Sequence, residues 1–202
     1  MTEALAIVGD SGLESLSLRE VARRLKVSHQ APYKHFASRD HILAEIVRRA
    51  FDHFAAALDA RPRSADPAPD SLAMGAAYID YALAHPLHYR LMFGASLPKA
   101  EDHPEMMRSA RHAFSLLRDA LAHMFAAHGV AASTVDLDLE AMFVWSSLHG
   151  LVSLLKTDAM SSLALHAQTR ARLAAHALAR IGSALGVAPP PIPFPQAQEP
   201  SK

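Results

Sequence analysis

The stretch Ser17–Phe36, SLREVARRLKVSHQAPYKHF, reads as two short helices joined by a tight turn. Ser17 precedes an apolar-periodic run and Glu20 follows three residues later. That is the spacing of a capping box, in which the serine hydroxyl takes one free backbone N–H and the glutamate reaches back for another. Leu18, Val21, Ala22 and Leu25 fall on one helical face and leave Arg19, Arg23, Arg24 and Lys26 on the others. Ser28 is the next N-cap, predicted to open a second helix through His29, Gln30, Ala31, Pro32, Tyr33, Lys34 and His35 to Phe36. Only Lys26 and Val27 lie between the two, so they meet at a sharp angle, and the spacing predicts a helix-turn-helix.

Charge sharpens this reading. From Ser17 to Arg49 there are eight cations (Arg19, Arg23, Arg24, Lys26, Lys34, Arg39, Arg48, Arg49) against three acids (Glu20, Asp40, Glu45), a net of +5 in a chain whose formal charge is zero. Positive charge gathered near one end makes a place for a polyanion. The competing explanation is a pair of solvated helix faces, since charge runs usually have no further role.

Extended to Leu43, the stretch SLREVARRLKVSHQAPYKHFASRDHIL resembles the DNA-binding motif of the tetracycline-repressor family of bacterial transcription regulators. The resemblance is carried by Ser17, Val21-Ala22, Val27-Ser28, Tyr33-Lys34-His35-Phe36 and Arg39-Asp40, and spans roughly forty residues. Two positions depart from the pattern. Lys26 stands where the family usually has a turn glycine, and positive φ there costs a side chain about 1 kcal/mol. Pro32 removes an N–H from the start of the second helix. The resemblance implies that His29 and Gln30 touch base edges and that Ala31 meets a thymine methyl. It implies that Tyr33, Lys34, His35 and Arg39 hold phosphates, with Ser17, Arg19 and Ser28 beside them. Relatives often carry a basic arm ahead of the first helix; residues 1–12 here suggest a short helix ended by Gly9 or Gly12, and no minor-groove contact is expected of it.

The remainder reads as all-α, with about nine helices in total. Ser38 caps a helix over 38–58 in which Ile42, Leu43, Ile46, Val47, Ala50, Phe51, Phe54, Ala55 and Leu58 recur at helical spacing. This helix closes a DNA-binding module of residues 1–58 and is its mechanical link to the next domain. Residues 59–69 read as a Pro-containing linker. A second helical domain is expected over 70–185: a helix from Asp70 to Ala84 ended by His85-Pro86, a short helix 86–93, a loop 94–103, and a long helix from Pro104 to about His128. Two more follow, at 133–157 and 165–185. The Pro-rich tail 186–202 is expected to be disordered or extended.

The last two helices carry more apolar and small-residue surface than one subunit hides. The resemblance implies that they form a homodimer, with Ala171, Ala174, Ala175, Ala177 and Ala179 allowing close approach and Leu178, Ile181 and Leu185 supplying area. The partners expected are therefore a near-palindromic double-stranded DNA operator, a second copy of the chain, and a small-molecule effector. Trp145, His149 and Gly150 spell W-x3-H-G, which is similar to the signature of a Trp-His-Gly C-terminal domain within the family; core packing by Trp145 is the plainer explanation. Tyr78, Tyr81, Phe93, Phe114, Met142, Trp145 and His149 are the expected lining of an apolar or amphipathic effector pocket.

Other classes find less support. The chain has no cysteine, hence neither a disulfide framework nor thiolate ligands. Among its thirteen histidines, His85 and His88 lie three apart, but Pro86 is expected to break the helix that would align them, so no metal site and no cofactor are expected. No nucleophile elbow, phosphate loop or HExxH motif is present, which argues against an enzyme. A helical adaptor whose basic patch binds an acidic partner is the alternative to a repressor released by a ligand, followed by a metal-responsive regulator. With no visible leader and no apolar run long enough for a bilayer, the expected location is the cytoplasm.

Overall fold

The computed structural model describes residues 1–61, 67–94, 97–130, 135–157 and 159–186. Their regular elements are all helical: α1 (Thr2–Ser11), α2 (Leu18–Leu25), α3 (Arg39–Asp59), α4 (Pro67–Ala84), α5 (Pro86–Phe93), α6 (Pro104–Ala127), α7 (Leu137–Leu155), α8 (Ala159–Ser162) and α9 (Ala167–Ala184), with 3-10 turns at Leu13–Ser15, Pro32–Lys34 and Ala100–Asp102. The chain forms two compact units, one of Met1–Ala60 with Tyr81–Leu116, the other of Arg61–Asp80 with the chain from Leu117 onward.

In the first unit, α1 buries Ala4, Ile7 and Val8 and ends at Gly12, whose φ of 82° is open to glycine at little cost. The Ser17 hydroxyl accepts the Glu20 N–H at 3.1 Å and so caps α2. The return half of the expected capping box is replaced: the Glu20 carboxylate is taken by Arg23 at 2.7 and 2.6 Å and by Arg24 at 3.4 Å. Lys26 takes the left-handed conformation, φ 54° and ψ 39°. Its N–H reaches the Arg23 carbonyl at 3.2 Å and the Val27 N–H reaches Ala22 at 3.1 Å, the two bonds of a Schellman ending.

The predicted second helix from Ser28 to Phe36 is shorter and tighter than expected. Only Pro32–Lys34 is regular, and it is a 3-10 turn. The cause is Pro32, which has no N–H to give the Ser28 carbonyl; the Ala31 N–H takes that carbonyl instead at 3.0 Å, and Lys34 bonds Ala31 at 3.2 Å in the same three-residue step.

Helix α3 follows its apolar pattern throughout: all nine residues of the predicted stripe are buried, and Ser38 Oγ accepts the His41 N–H at 3.3 Å. Each large side chain so buried contributes about 1.5–3 kcal/mol. Its C-terminal half joins an aromatic cluster with α5 and with Tyr81 at the end of α4, in which Phe51 and Phe93 meet edge to face at 5.9 Å, Phe54 and Tyr81 lie 5.0 Å apart, and Tyr89 and Phe93 4.9 Å apart. Pro86 occupies the first position of α5, where its missing N–H costs nothing, and His85 is the N-cap residue.

In the second unit, α4 begins at Pro67 rather than at Asp70. The Asp70 carboxylate, expected as a cap, instead pairs with Arg61 at 2.9 Å, their side chains 19% and 6% exposed. Helix α7 starts at Leu137, later than the predicted 133, because Asp136 accepts the N–H groups of Asp138 at 3.0 Å and Leu139 at 3.2 Å. One α7 face buries Ala141, Val144, Leu148 and Val152. On α9, Leu178, Ile181 and Leu185, expected at a subunit interface, line a small apolar cavity of this unit with Leu72, Met74, Leu117, Leu121 and Val144. Helix α8 has no counterpart in the sequence pattern. Residues 62–66 of the expected linker and the tail from 187 lie outside the described residues.

Candidate nucleic-acid interface

The expected base-reading residues His29 and Gln30 are exposed, as are Ser28, Tyr33, Lys34 and His35, while Ala31 is half-buried and Pro32 buried beneath them. The Schellman ending at Lys26 throws the chain off α2, and the 3-10 turn then holds this row outward. Tyr33 remains 48% exposed although it is aromatic, which an isolated fold has no reason to favour.

The cations divide into two groups. Arg23 and Arg24 are held by Glu20, and Arg24 also by Asp10 at 2.8 Å. Arg48 and Arg49 are held by Glu45, and Arg48 also by Asp52. The Arg23 hydrogen bonds, and then Arg24, bring the Glu20 carboxyl down to about 2. Arg48, and then Arg49, do the same for Glu45, also to about 2. These arginines are therefore internally neutralised. Among the described residues, the exposed Arg19, Lys26 and Lys34 make no ion pair, so the free positive charge of this segment lies on the α2 face and the turn after it.

Arg39, expected at a phosphate, also has partners within the fold. Its guanidinium donates to the Leu16 carbonyl at 3.1 Å and the Leu13 carbonyl at 2.9 Å, and approaches Asp40 at 3.9 Å. It ties the start of α3 to the segment before α2 through Nε and Nη2, while Nη1 makes no hydrogen bond among the described residues.

Of the seven residues expected to line an effector pocket, Tyr81, Phe93 and Phe114 belong to the first unit and Tyr78, Met142, Trp145 and His149 to the second. Tyr81, at the end of α4, and Phe93, on α5, belong to the aromatic cluster packed on α3, and Phe114 is half-buried on α6. In the second unit the Tyr78 hydroxyl lies 3.5 Å from His149 Nδ1, Trp145 is half-buried, and Met142 is 47% exposed. Burial, and then the Lys156 charge, push the His149 imidazole below its ordinary value. None of the seven lines either a cavity of about 260 Å³ bordered by Val8, Leu13, Leu43, Arg90 and Leu91, or the cavity of about 30 Å³ between α4, α7 and α9.

The histidine pair that Pro86 was expected to keep from aligning is brought together, and a third histidine joins it. His85 and His88 stack at 5.7 Å across the Pro86 turn, and α3 brings His53 to 4.9 Å from His85 and 5.9 Å from His88. His53 lies more than thirty positions earlier, and no local spacing announces it.

Comparison with known proteins places the chain. Residues 1–46 match the family described as bacterial regulatory proteins, tetR family, and residues 71–181 match the tetracyclin repressor-like C-terminal domain. A protein of unknown function from Rhodococcus sp. RHA1 shares 23% identity at a TM-score of 0.71, over 93% of this chain and 92% of that one. A candidate regulatory protein, SCO4313, shares 26% at 0.70, over 89% and 91%. PfmR, a TetR family transcriptional regulator from Thermus thermophilus, shares 24% at 0.63, over 92% and 96%. No curated protein sequence matches. Among the described residues, no helix is long and apolar enough to cross a membrane. The chain belongs to the tetracycline-repressor family, and it is a DNA-binding transcriptional regulator.

Proposed function

We propose that the protein is a homodimeric repressor of a near-palindromic operator, with residues 1–58 as the DNA-binding module and 70–185 as the effector and dimerisation domain. The observation that carries this reading is the exposed row His29, Gln30, Tyr33, Lys34 and His35, flanked by the unpaired cations Arg19 and Lys26. Hydrogen-bonding tips and free charge on one short turn match the division of labour at a DNA groove, in which side chains at base edges specify and cations at phosphates position.

Dimerisation is supported by α7. Opposite its buried stripe, Leu139, Met142, Phe143 and Leu154 are exposed by 67, 47, 41 and 55%. Gly150 lies on this exposed side, and a Cβ there would meet nothing within 4 Å of its own chain. An apolar helix face with a glycine open to close approach suits a second copy packed by two-fold symmetry. Two copies would address two half-sites.

The effector reading rests on the apolar interior of the second unit, which favours a hydrophobic or amphipathic small molecule. The Trp-His-Gly subgroup rests on Trp145, His149 and Gly150 alone, because the C-terminal domain description that matches residues 71–181 is a different one. The deciding experiment is a gel-shift titration with the promoter region beside the protein's own gene against a shuffled fragment of equal length. Saturable preference for the promoter, with affinity falling steeply as salt rises, is expected. Equal binding to both fragments would overturn the reading.

A further inference from the structure

We propose that His53, His85 and His88 form a site for one divalent transition-metal ion of the zinc, nickel, cobalt or copper class. One ring nitrogen from each of the three lies within 4.8 Å of the others. Ligation of a tetrahedral ion at about 2.0–2.1 Å needs nitrogens about 3.3 Å apart, so the rings must close by about 1 Å or somewhat more. His53 is exposed and free to turn, and the other two are half-buried at the first turn of α5. The closing movement therefore falls on the side chain with most room.

A second observation concerns which nitrogen is available. The Tyr81 hydroxyl donates its one proton to the Ala50 carbonyl at 3.1 Å. Its oxygen also lies 3.4 Å from His88 Nδ1, and with the phenol proton spent that contact is made by the imidazole N–H donating to Tyr81. His88 is thereby held with Nδ1 protonated and the lone pair on Nε2. Metal-bound histidines are oriented in this way, one nitrogen donating to a fixed oxygen and the other facing the ion. Tyr81 is a positioning residue in this arrangement, anchored on α3 through Ala50.

The donor set selects the ion. Three imidazoles without a thiolate or carboxylate among them suit zinc, nickel, cobalt or copper and disfavour magnesium and calcium, which want oxygen. Three protein ligands leave a fourth position open to water or a small anion. Because His53 sits on α3 and the other two begin α5, a bound ion would clamp these helices together within the first unit. The proposal stands apart from the DNA-binding reading, since its test uses protein alone.

The full-length protein, stripped with EDTA, would be titrated with cobalt(II) chloride and followed by visible absorption, and with zinc chloride by calorimetry. One ion per chain with the intense bands of four-coordinate cobalt is expected, together with a rise in Tm on adding zinc. His53→Ala and His88→Ala should each abolish stoichiometric binding while circular dichroism stays helical. Tyr81→Phe should weaken binding by about tenfold or more while leaving one ion per chain. Absence of saturable binding by the natural chain overturns the site. So does binding that persists unchanged in a His53→Ala/His88→Ala double variant, which would assign the ion to other histidines.

Discussion

The Arg39 guanidinium donates to the Leu16 carbonyl at 3.1 Å, so a residue whose sequence position implied a phosphate contact also holds α3 against the segment before α2. Arg39 and Lys34 should therefore behave oppositely. Arg39→Ala should lower unfolding free energy by about 1–3 kcal/mol, as expected for lost hydrogen bonds from a charged donor, and leave the salt dependence of DNA binding unchanged. Lys34→Ala should leave stability within about 0.5 kcal/mol and make the salt slope shallower by about one. Urea unfolding and salt titration of both variants test this; an Arg39→Ala slope that moves like that of Lys34→Ala would return Arg39 to the phosphate-binding set.

Gln30 is exposed at the start of the reading turn, with an amide suited to the paired donor and acceptor of adenine. Gln30→Ala should relax preference at one operator position by about 1–3 kcal/mol, read by competition among single-base operator variants. An unchanged preference profile would remove Gln30 from the base-reading set.

Lys26 holds φ 54° in a position that glycine occupies without steric cost. Lys26→Gly should raise stability by about 1 kcal/mol, measured by chemical unfolding without DNA. A loss of stability would mean that the lysine stem packs against its surroundings by more than the backbone strain.

Acid sensitivity follows from Glu20 and Glu45, whose carboxyls are held at about 2 against an ordinary 4.5. Between those values the unfolded chain binds more protons than the folded one, so the stability these groups contribute is present above about 4.5 and is lost as pH falls toward about 2. Unfolding midpoints measured across that window should fall with pH. A Glu20→Gln/Glu45→Gln double variant should show a flatter dependence, and an equal slope in both proteins would assign the acid transition to other groups.

The exposed α7 face gives the test of assembly. Leu139→Glu with Phe143→Glu should leave the fold intact, because both side chains are already open to solvent, and should shift the protein to a monomer in sedimentation experiments. DNA affinity should drop with it, since one half-site contact set is lost. A dimer that survives both changes places the interface elsewhere.

Much of this was legible one residue at a time. Ser17, Ser38 and the nine-residue stripe of α3 follow from local capping and a 3.6-residue period, and each stands where the pattern puts it. Pro86 at the start of α5 and Gly12 at the end of α1 are likewise properties of a few consecutive residues. The second element of the helix-turn-helix is overdrawn as a full helix by periodicity, because the cost of Pro32 depends on which carbonyl its missing N–H leaves behind. That cost is visible in the sequence but has no weight in a count of apolar spacings.

What the chain determined alone was therefore local: helical class, caps, breaks, and the segment that carries family membership, since these depend on neighbours within a turn or two. Tertiary structure decided the partners of long side chains. Arg39 reaches a carbonyl 23 positions earlier, and His53 meets His85 only because α3 and α5 share an aromatic core. Such meetings depend on where helices cross, and crossing is set by the fit of whole buried surfaces rather than by any spacing along the sequence.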